Sequence, residues 1–149
     1  MKVRELMSTD PVCCTPSTSL KEVAGMMLRN DCGAIPVVDN EESMRLVGII
    51  TDRDITCRSV AQGKNPQQQT AGECMTTALA TVTPDTSLQE CCAVMENNMV
   101  RRIPVIDKEG RCCGVIAQAD LALQGPEKLA AEVVREVSQP NGETSVATF

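Results

Sequence analysis

The sequence predicts an α+β fold in which two β-α-β-β-α halves pack together with pseudo-two-fold symmetry. An internal repeat is the main reason, because three segments return farther along the chain at one constant spacing. A half of this size forms only a marginal core alone, so the two halves would bury more apolar surface by packing together. The repeated segments are residues 3–7 and 71–75, 15–20 and 83–88, and 34–39 and 102–107.

Each half is expected to start with a short helical turn in its first repeated segment, followed by a short strand. The strand covers residues 12–15 in the first half and 80–83 in the second. A helix should begin after Ser19 and after Ser87, because Ser-x-x-Glu is a capping box that pairs backbone N–H groups at a helix start. In the first half, apolar residues at helical spacing predict one buried stripe made of Leu20, Val23, Ala24, Met27 and Leu28.

Two β-branched apolar runs follow this helix, with a polar turn between them. Residues 35–38 and 46–50 are therefore predicted to pair as a hairpin. A second helix should begin at Thr51, and its counterpart in the second half near Ala117. The order strand, helix, hairpin, helix is thus expected twice.

The predicted boundaries are residues 1–65 for the first repeat and 66–124 for the second. The polar segment 62–69 contains glycine and proline and is predicted to connect them. Residues 125–138 are expected to form a C-terminal helix, and 139–149 have the composition of a disordered tail. The C-terminal helix should bury one apolar side that consists of Leu129, Ala130, Val133, Val134 and Val137.

Composition narrows the classes of function. The chain has no His and only 1% aromatic residues, so neither His-based general-base catalysis nor stacking of nucleic-acid bases is expected. A formal net charge of −6 argues against nucleic acid and anionic membranes as partners. No apolar run approaches the roughly 18 residues of a membrane span, and the first residues do not resemble a signal peptide. We therefore expect a cytoplasmic protein whose nine Cys are reduced.

The most informative stretch is Gly-Ile-Ile-Thr-Asp-Arg-Asp at residues 48–54. Thr51 is predicted to be the N-cap of a helix and Asp54 its third residue, so that each side chain accepts a backbone N–H of the other. The free N–H groups at such a helix start also suit an anion. This stretch alone is compatible both with a capped helix that has no further role and with an anion site.

The repeated pattern closely resembles the cystathionine β-synthase (CBS) domain, of which two copies form a Bateman module. The pattern is Met, then T-P-x-x-[ST]-x-L, then P-V-[VI]-D, then G-x-[IV]-x-x-x-D, and it extends from residue 1 to about 124. The resemblance implies a sensor that binds adenine nucleotides or related adenosyl compounds in clefts between the repeats. It also implies that the last motif has the form G-x-x-[ST]-x-x-D, in which the Asp holds both ribose hydroxyls and the Ser or Thr meets a phosphate at the helix N-terminus.

In this family the last motif of one repeat faces the first strand, first helix and Pro-Val strand of the other. Arg101 and Arg102 stand where basic residues of the family reach the phosphates, and guanidinium groups match phosphate geometry. The first cleft is therefore expected to consist of Gly48, Ile50, Thr51, Arg53, Asp54, Thr86, Cys91, Val100, Arg101 and Arg102.

The second cleft departs from the family pattern. Ala117 replaces the hydroxyl residue, and Gly33 and Ala34 stand where the first cleft has arginines. This cleft should be empty, weak, or selective for a less charged ligand. Its expected residues are Thr18, Val23, Cys32, Gly33, Ala34, Ile116 and Asp120.

The cysteines are interpreted as small core hydrophobes, because the repeat aligns every one of them except Cys13 with an apolar residue. Cys13 aligns with Thr81. The chain has no C-x-x-C motif, so a zinc site would need ligands from distant segments, and none is predicted.

The resemblance implies a non-enzymatic regulatory module that binds AMP, ADP or ATP and acts on a separate effector protein through two conformations. No catalytic residue and no catalytic cofactor are expected, since there is neither His nor a Walker-type phosphate loop. A ligand-free scaffold and a thiol- or metal-responsive sensor are the alternatives. A homodimer is expected from the family and from the general frequency of two-fold assemblies.

Overall fold

A computed structural model describes residues 1–139. The chain is α+β, as predicted. In the described part, no helix is both long enough and apolar enough to cross a membrane. The helices are α1 (Leu20–Asn30), α2 (Asp52–Arg58), α3 (Ala71–Cys74), α4 (Leu88–Asn98), α5 (Gln118–Gln124) and α6 (Glu127–Val137). The strands are β1 (Ser8–Thr9), β2 (Ala34–Val38), β3 (Leu46–Thr51), β4 (Arg102–Ile106) and β5 (Cys112–Ala117).

The chain divides into two compact units that do not follow the sequence repeat. The repeat-1 unit contains Asp10–Leu79 and Ile106–Cys113. The repeat-2 unit contains Met1–Thr9, Ala80–Val105 and, within the described part, residues 114–139. The start of each sequence repeat therefore belongs to the unit built mainly from the other repeat. The boundaries of the repeats themselves stay a prediction.

The repeat-1 unit is built on the predicted hairpin. Strands β2 and β3 pair antiparallel, with Ile35 opposite Ile50 and a bulge between Val37 and Val38. Helix α1 begins as predicted, because the Ser19 hydroxyl accepts the Glu22 N–H at 3.1 Å. The core of this unit consists of Cys14, Leu20, Val23, Met26, Met27, Ile35, Val37, Ile50, Ala71 and Cys74.

The repeat-2 unit has the same kind of sheet and capped helix as the repeat-1 unit. It adds strand β1 and helix α6. Strand β1 pairs antiparallel with β5, so that its sheet has the order β1-β5-β4. Helix α4 begins at Ser87, whose hydroxyl accepts the Glu90 N–H at 3.1 Å. Helix α6 lies within the predicted residues 125–138 and contacts both α4 and α5. Its buried residues are Ala130, Val133 and Val137.

The predicted strands at 12–15 and 80–83 are wrong. Each is reduced to a single parallel bridge, Cys14 with Val37 and Val82 with Val105. The neighbouring positions of the partner strands are Pro36 and Pro104. Proline has no N–H to donate to the next rung of the ladder, so the pairing stops after one residue.

The predicted apolar stripes are too wide. Leu28 is 84% exposed and Ala24 is also exposed, whereas Met26 is buried in α1. Val134, at 38% exposure, lies outside the buried face of α6. A helix turns by about 100° per residue, so residues directly after Val23, Met27 and Val133 point away from the core. The predicted disordered tail falls almost wholly on residues 140–149, which lie outside the described residues.

The interpretation of the cysteines is correct for most but not all of them. Cys14, Cys74, Cys91, Cys92 and Cys112 are buried, whereas Cys13 and Cys113 are partly buried. Cys32 and Cys57 are exposed, so an apolar partner in the repeat did not predict their burial. The partner of Cys57, Leu123, is itself 82% exposed, so an apolar residue type at this position does not indicate a core position.

Candidate functional site: the turn after strand β3

The turn from β3 into α2 forms the predicted capping box. The Thr51 N–H donates to Asp54 Oδ2 at 3.0 Å, and the Asp54 N–H donates to Thr51 Oγ1 at 3.0 Å. Thr51 is in the extended conformation, as an N-cap must be. The two side chains therefore hold each other and pair two backbone groups that the short helix leaves without an internal partner.

Asp54 has a second partner that the sequence interpretation missed. Its Oδ1 lies 3.7 Å from Arg58 Nε, and its side chain is 13% exposed, against 47% for Arg58. The same arginine donates to the carbonyl oxygens of Cys74 and Met75 at 3.1 and 3.0 Å. The spacing of Asp54 and Arg58, one helical turn apart, is the signal that would have found this pair.

The carboxylate of Asp54 retains acceptor capacity. An ionised carboxylate offers about four lone-pair sites, and the capping bond uses one of them. The contact to Arg58 is long and about half-exposed. It therefore competes only weakly with other hydrogen-bond donors for the carboxylate oxygens. Asp54 can therefore accept two more hydrogen bonds, as a pair of neighbouring hydroxyl groups would require.

Strand β3 holds this turn rigidly. Ile50 is fully buried, and Gly48 packs against Met75 and the carbonyl oxygen of Thr76. The Asp52 N–H donates to the carbonyl oxygen of Gly33, just before β2, at 2.9 Å. The predicted residues Gly48, Ile50, Thr51 and Asp54 are thus all placed by one strand end, which is the arrangement that a preformed binding turn needs.

The corresponding turn of the repeat-2 unit forms only one of the two hydrogen bonds of the capping box. The Ala117 N–H donates to Asp120 Oδ2 at 2.7 Å, but the methyl group of Ala117 cannot accept a hydrogen bond in return. Ile116 is fully buried, like Ile50. The next residue, Gln118, buries its side-chain oxygen without a hydrogen-bond partner among residues 1–139. This turn therefore presents one carboxylate and no hydroxyl.

The difference between the two turns predicts opposite changes in stability when the N-cap residue of either turn is replaced by that of the other. Thr51 and Ala117 have nearly the same backbone angles, φ −114° and −118° with ψ 161° and 157°. We expect Thr51→Ala to lower the free energy of unfolding by about 1 kcal/mol and Ala117→Thr to raise it by a similar amount, because an N-cap hydroxyl is lost or gained. Urea denaturation of both variants tests this. Destabilisation by Ala117→Thr would show that the second turn cannot accommodate a cap.

The remaining residues of the first predicted cleft lie in the repeat-2 unit. Arg101 precedes β4 and Arg102 is its first residue. Both are exposed, and no carboxylate in the described chain lies within ion-pair distance of either guanidinium group. Val100 is partly buried, and Cys91 is fully buried in α4. The Thr86 hydroxyl accepts the Thr83 N–H at 3.0 Å. Arg53 is partly buried at the start of α2 and has a partner.

The residues of the second predicted cleft are also divided between the units. Besides Ile116 and Asp120, the set contains residues of the repeat-1 unit. There Val23 is fully buried, and the Thr18 hydroxyl accepts the Thr15 N–H at 3.1 Å. Cys32 is exposed, and Gly33 and Ala34 lead into β2. Both sets combine residues of two units, so their assembly into sites stays a prediction.

The described chain offers no evident metal centre. No group of three or more Cys, Asp or Glu side chains that could hold a metal ion occurs among residues 1–139, and the sequence has no His.

The fold and its turns define a class of protein. Two units that each carry a hairpin, a capped helix and the same strand-to-helix turn make a tandem-repeat α+β module. A family model for the CBS domain matches residues 3–59 and 71–124. The chain belongs to the CBS-domain family and carries the domain twice. Proteins with such pairs are generally regulatory modules rather than catalysts.

Similar proteins match this chain over most of its length. Hypoxic response protein 1 of Mycobacterium tuberculosis is 35% identical over 137 residues, which cover 92% of this chain and 94% of that protein. The CBS domain-containing protein YhcV of Bacillus subtilis is 34% identical over 140 residues, with coverage of 93% and 96%.

Solved structures share the fold. A crystal structure of hypoxic response protein I with two coordinated zinc ions has a TM-score of 0.76 and 35% identity, and the match covers 85% of this chain and 100% of that chain. The CBS domain pair of protein MJ0100, in complex with 5′-methylthioadenosine and S-adenosyl-L-methionine, has a TM-score of 0.74 and 27% identity. That match covers 83% of this chain and 94% of the other.

Proposed function

We propose that this chain is a non-catalytic regulatory module that binds an adenosyl ligand at the turn after β3. Asp54 accepts hydrogen bonds from the two ribose hydroxyls, and the Thr51 hydroxyl donates to the first phosphate. The observation that carries the proposal is the reciprocal Thr51–Asp54 pair, which holds a carboxylate with spare acceptor capacity at a rigid strand end. The adenosyl ligands in the structure of MJ0100 support the ligand class.

The ligand in this proposal is phosphorylated, as AMP, ADP or ATP are. Helix α2 has only seven residues, so its dipole contributes little to anion binding. The charge must therefore come from side chains, and Arg101 and Arg102 are exposed and without an ion pair in the described chain. Their guanidinium groups suit phosphate oxygens.

The second turn binds such a ligand more weakly in this proposal. It lacks the hydroxyl of Thr51, and the residues before β2 are Gly33 and Ala34 instead of arginines. Asp120 could still accept ribose hydroxyls. One strong site and one weak site per chain are therefore expected.

Signalling follows from a population shift. The ligand favours whichever conformation it binds more tightly, and a partner that distinguishes the two conformations responds to it. The partner is a separate protein in this proposal, and the module itself forms a homodimer.

Isothermal titration of the whole chain with AMP, ATP and adenosine tests the function. We expect one dominant site per chain, with adenosine binding at least tenfold more weakly than AMP, because hydrogen bonds between charged groups contribute about 1.5–3 kcal/mol. Two equal tight sites would contradict the asymmetry. Equal affinity for AMP and adenosine would exclude the phosphate contacts, and no binding of any of the three would exclude the nucleotide function.

An arginine variant separates the phosphate contacts from the ribose contacts. Replacing both Arg101 and Arg102 with Gln should bring the affinity for AMP down to that for adenosine and leave adenosine binding unchanged. Arg135→Gln is the matched control, since it removes an exposed arginine of α6 that has no part in the proposed site.

A metal-responsive sensor is the second candidate, because the similar hypoxic response protein I holds two zinc ions. No group of potential ligands in the described residues supports it for this chain. Measuring the zinc content of the protein purified without added metal decides between the two. A stoichiometric metal would favour this second function.

A further inference from the structure

Two arginines from distant parts of the sequence lie side by side in the repeat-1 unit. Arg45 and Arg111 have the same place in the two repeats, directly before β3 and directly before β5. The residue after each arginine donates its N–H to the carbonyl oxygen of the residue before the other, at 3.1 and 2.8 Å. This pattern is an antiparallel bridge between Arg45 and Arg111. In such a pair the Cα atoms are about 4.5 Å apart, and both side chains leave on the same face.

This bridge places two positive charges opposite each other. Like charges directly opposite on paired strands are destabilising. Both side chains are exposed, and neither guanidinium group has a carboxylate at ion-pair distance within residues 1–139. The chain has a formal net charge of −6, yet no ion pair in its described part neutralises these two arginines.

The Asp of each turn is directed at the backbone instead of a guanidinium group. Asp39 Oδ1 accepts the N–H of Arg45 at 3.1 Å, and Asp107 Oδ1 accepts that of Arg111 at 3.0 Å. Each of these oxygens also accepts the N–H of another residue in its own turn, at 2.7 and 3.0 Å. The two carboxylates therefore fix the points at which the arginine side chains leave the backbone.

An open groove lies at this pair of arginines. It has a volume of about 490 Å³ and is lined by Ser43, Arg45, Asp107, Glu109 and Arg111, all of which belong to the repeat-1 unit. This volume is typical of sites for small molecules. The carboxylates of Asp107 and Glu109 repel an anion, so only a ligand that contacts both guanidinium groups can bind here.

We propose that the Arg45–Arg111 pair binds a dianionic phosphate group, which is either inorganic phosphate or the phosphate of a small organic monoester. Each guanidinium group can donate two parallel hydrogen bonds to phosphate oxygens. The two negative charges of the ligand also offset the repulsion between the arginines. The proposed nucleotide function is not needed for this inference, because it uses neither Thr51 nor Asp54.

A bound phosphate would hold the turn before β3 against the turn before β5. Any ligand that binds only the folded chain stabilises it by mass action. At a phosphate concentration ten times the dissociation constant, the melting temperature should rise by about 3–5 °C.

Nuclear magnetic resonance of the whole chain tests the site directly. The Nε–H signals of Arg45 and Arg111 are assigned by their loss in Arg45→Gln and Arg111→Gln. Inorganic phosphate then replaces chloride at constant ionic strength near neutral pH. We expect both signals to shift together and to saturate, with a midpoint of about 1 mM. The chain with Arg101→Gln and Arg102→Gln should give the same curve, because its phosphate contacts at the proposed nucleotide site are removed.

Matched variants separate a built site from a general effect of charge. Lys108→Gln removes an exposed cation of the same turn that does not line the groove, and it should leave the titration unchanged. Arg111→Gln should raise the midpoint of the Arg45 signal at least tenfold. In low salt without phosphate, Arg111→Gln should also melt about 1–3 °C higher, because the repulsion between like charges is gone.

Glycerol phosphate distinguishes the two sources of the ligand. An affinity equal to that of inorganic phosphate would assign the site to organic monoesters, and binding of inorganic phosphate alone would assign it to the free ion. The proposal would be overturned by a shift that does not saturate, by an equal shift with chloride, or by an effect of Lys108→Gln as large as that of Arg111→Gln.

Discussion

Asp54→Ala is expected to weaken AMP binding by about 10- to 100-fold. The change removes the carboxylate that accepts both ribose hydroxyls in the proposed site, and hydrogen bonds to a charged group contribute about 1.5–3 kcal/mol. Isothermal titration measures the loss. Asp54→Asn keeps an acceptor for the Thr51 N–H but removes the charge, so we expect an affinity between those of the wild type and the alanine variant.

Asp120→Ala is the matched control for this prediction. Asp54 and Asp120 each accept the N–H of the residue three positions earlier, at 3.0 and 2.7 Å, so either change removes the same kind of helix cap. Both alanine variants should lose about 1 kcal/mol of stability, whereas only Asp54→Ala should lose affinity for AMP strongly. Unchanged binding in Asp54→Ala, or an equal loss in both variants, would contradict the assignment of the site.

Gly114→Ala is expected to destabilise the protein by about 3 kcal/mol. A Cβ at Gly114 would lie 2.7 Å from the carbonyl oxygen of Ser8 and 3.0 Å from the sulfur of Met7. Ser8 is fixed by the pairing of β1 with β5, so this backbone oxygen cannot move away without breaking the sheet edge. Overpacking of this kind costs about 1–3 kcal/mol, and a fixed backbone neighbour places it at the upper end.

Gly48→Ala is the internal comparison, since Gly48 has the same place in the other repeat. Its added Cβ would come closest to the sulfur of Met75, at 2.6 Å, and would lie 3.1 Å from the carbonyl oxygen of Thr76. A Met side chain is flexible and can adopt another rotamer, so we expect a loss of only about 1 kcal/mol. Urea denaturation of both variants measures the difference, and a larger loss for Gly48→Ala would show that Met75 is held more tightly than Ser8.

Elements governed by neighbouring residues were predictable from the sequence. The helix starts at Ser19, Ser87 and Thr51 depend on hydrogen bonds between residues three apart, and all three are confirmed. The hairpin of β2 and β3 is confirmed as well, and a helix, α6, lies within the predicted residues 125–138. In each case the signal and the structure lie within one short stretch.

Predictions of burial and strand pairing, which depend on residues distant in sequence, were less successful. Leu28 and Ala24 share the apolar character of the core residues of α1, yet both face away from it. Cys32 and Cys57 align with apolar residues and are exposed. The single bridge at Cys14 depends on Pro36 in a strand far along the chain, so the composition of residues 12–15 could not reveal it.

The sequence by itself determined the family, the double repeat, the capped turns and the unequal chemistry of Thr51 and Ala117, because repeated motifs and capping residues act locally. Only the tertiary structure decided that residues 1–9 belong with the second hairpin and that Arg58 donates to the carbonyl oxygens of Cys74 and Met75. Both contacts join residues that are distant in sequence. Which distant residues meet is set by the packing of whole elements, and no spacing along the chain encodes it directly.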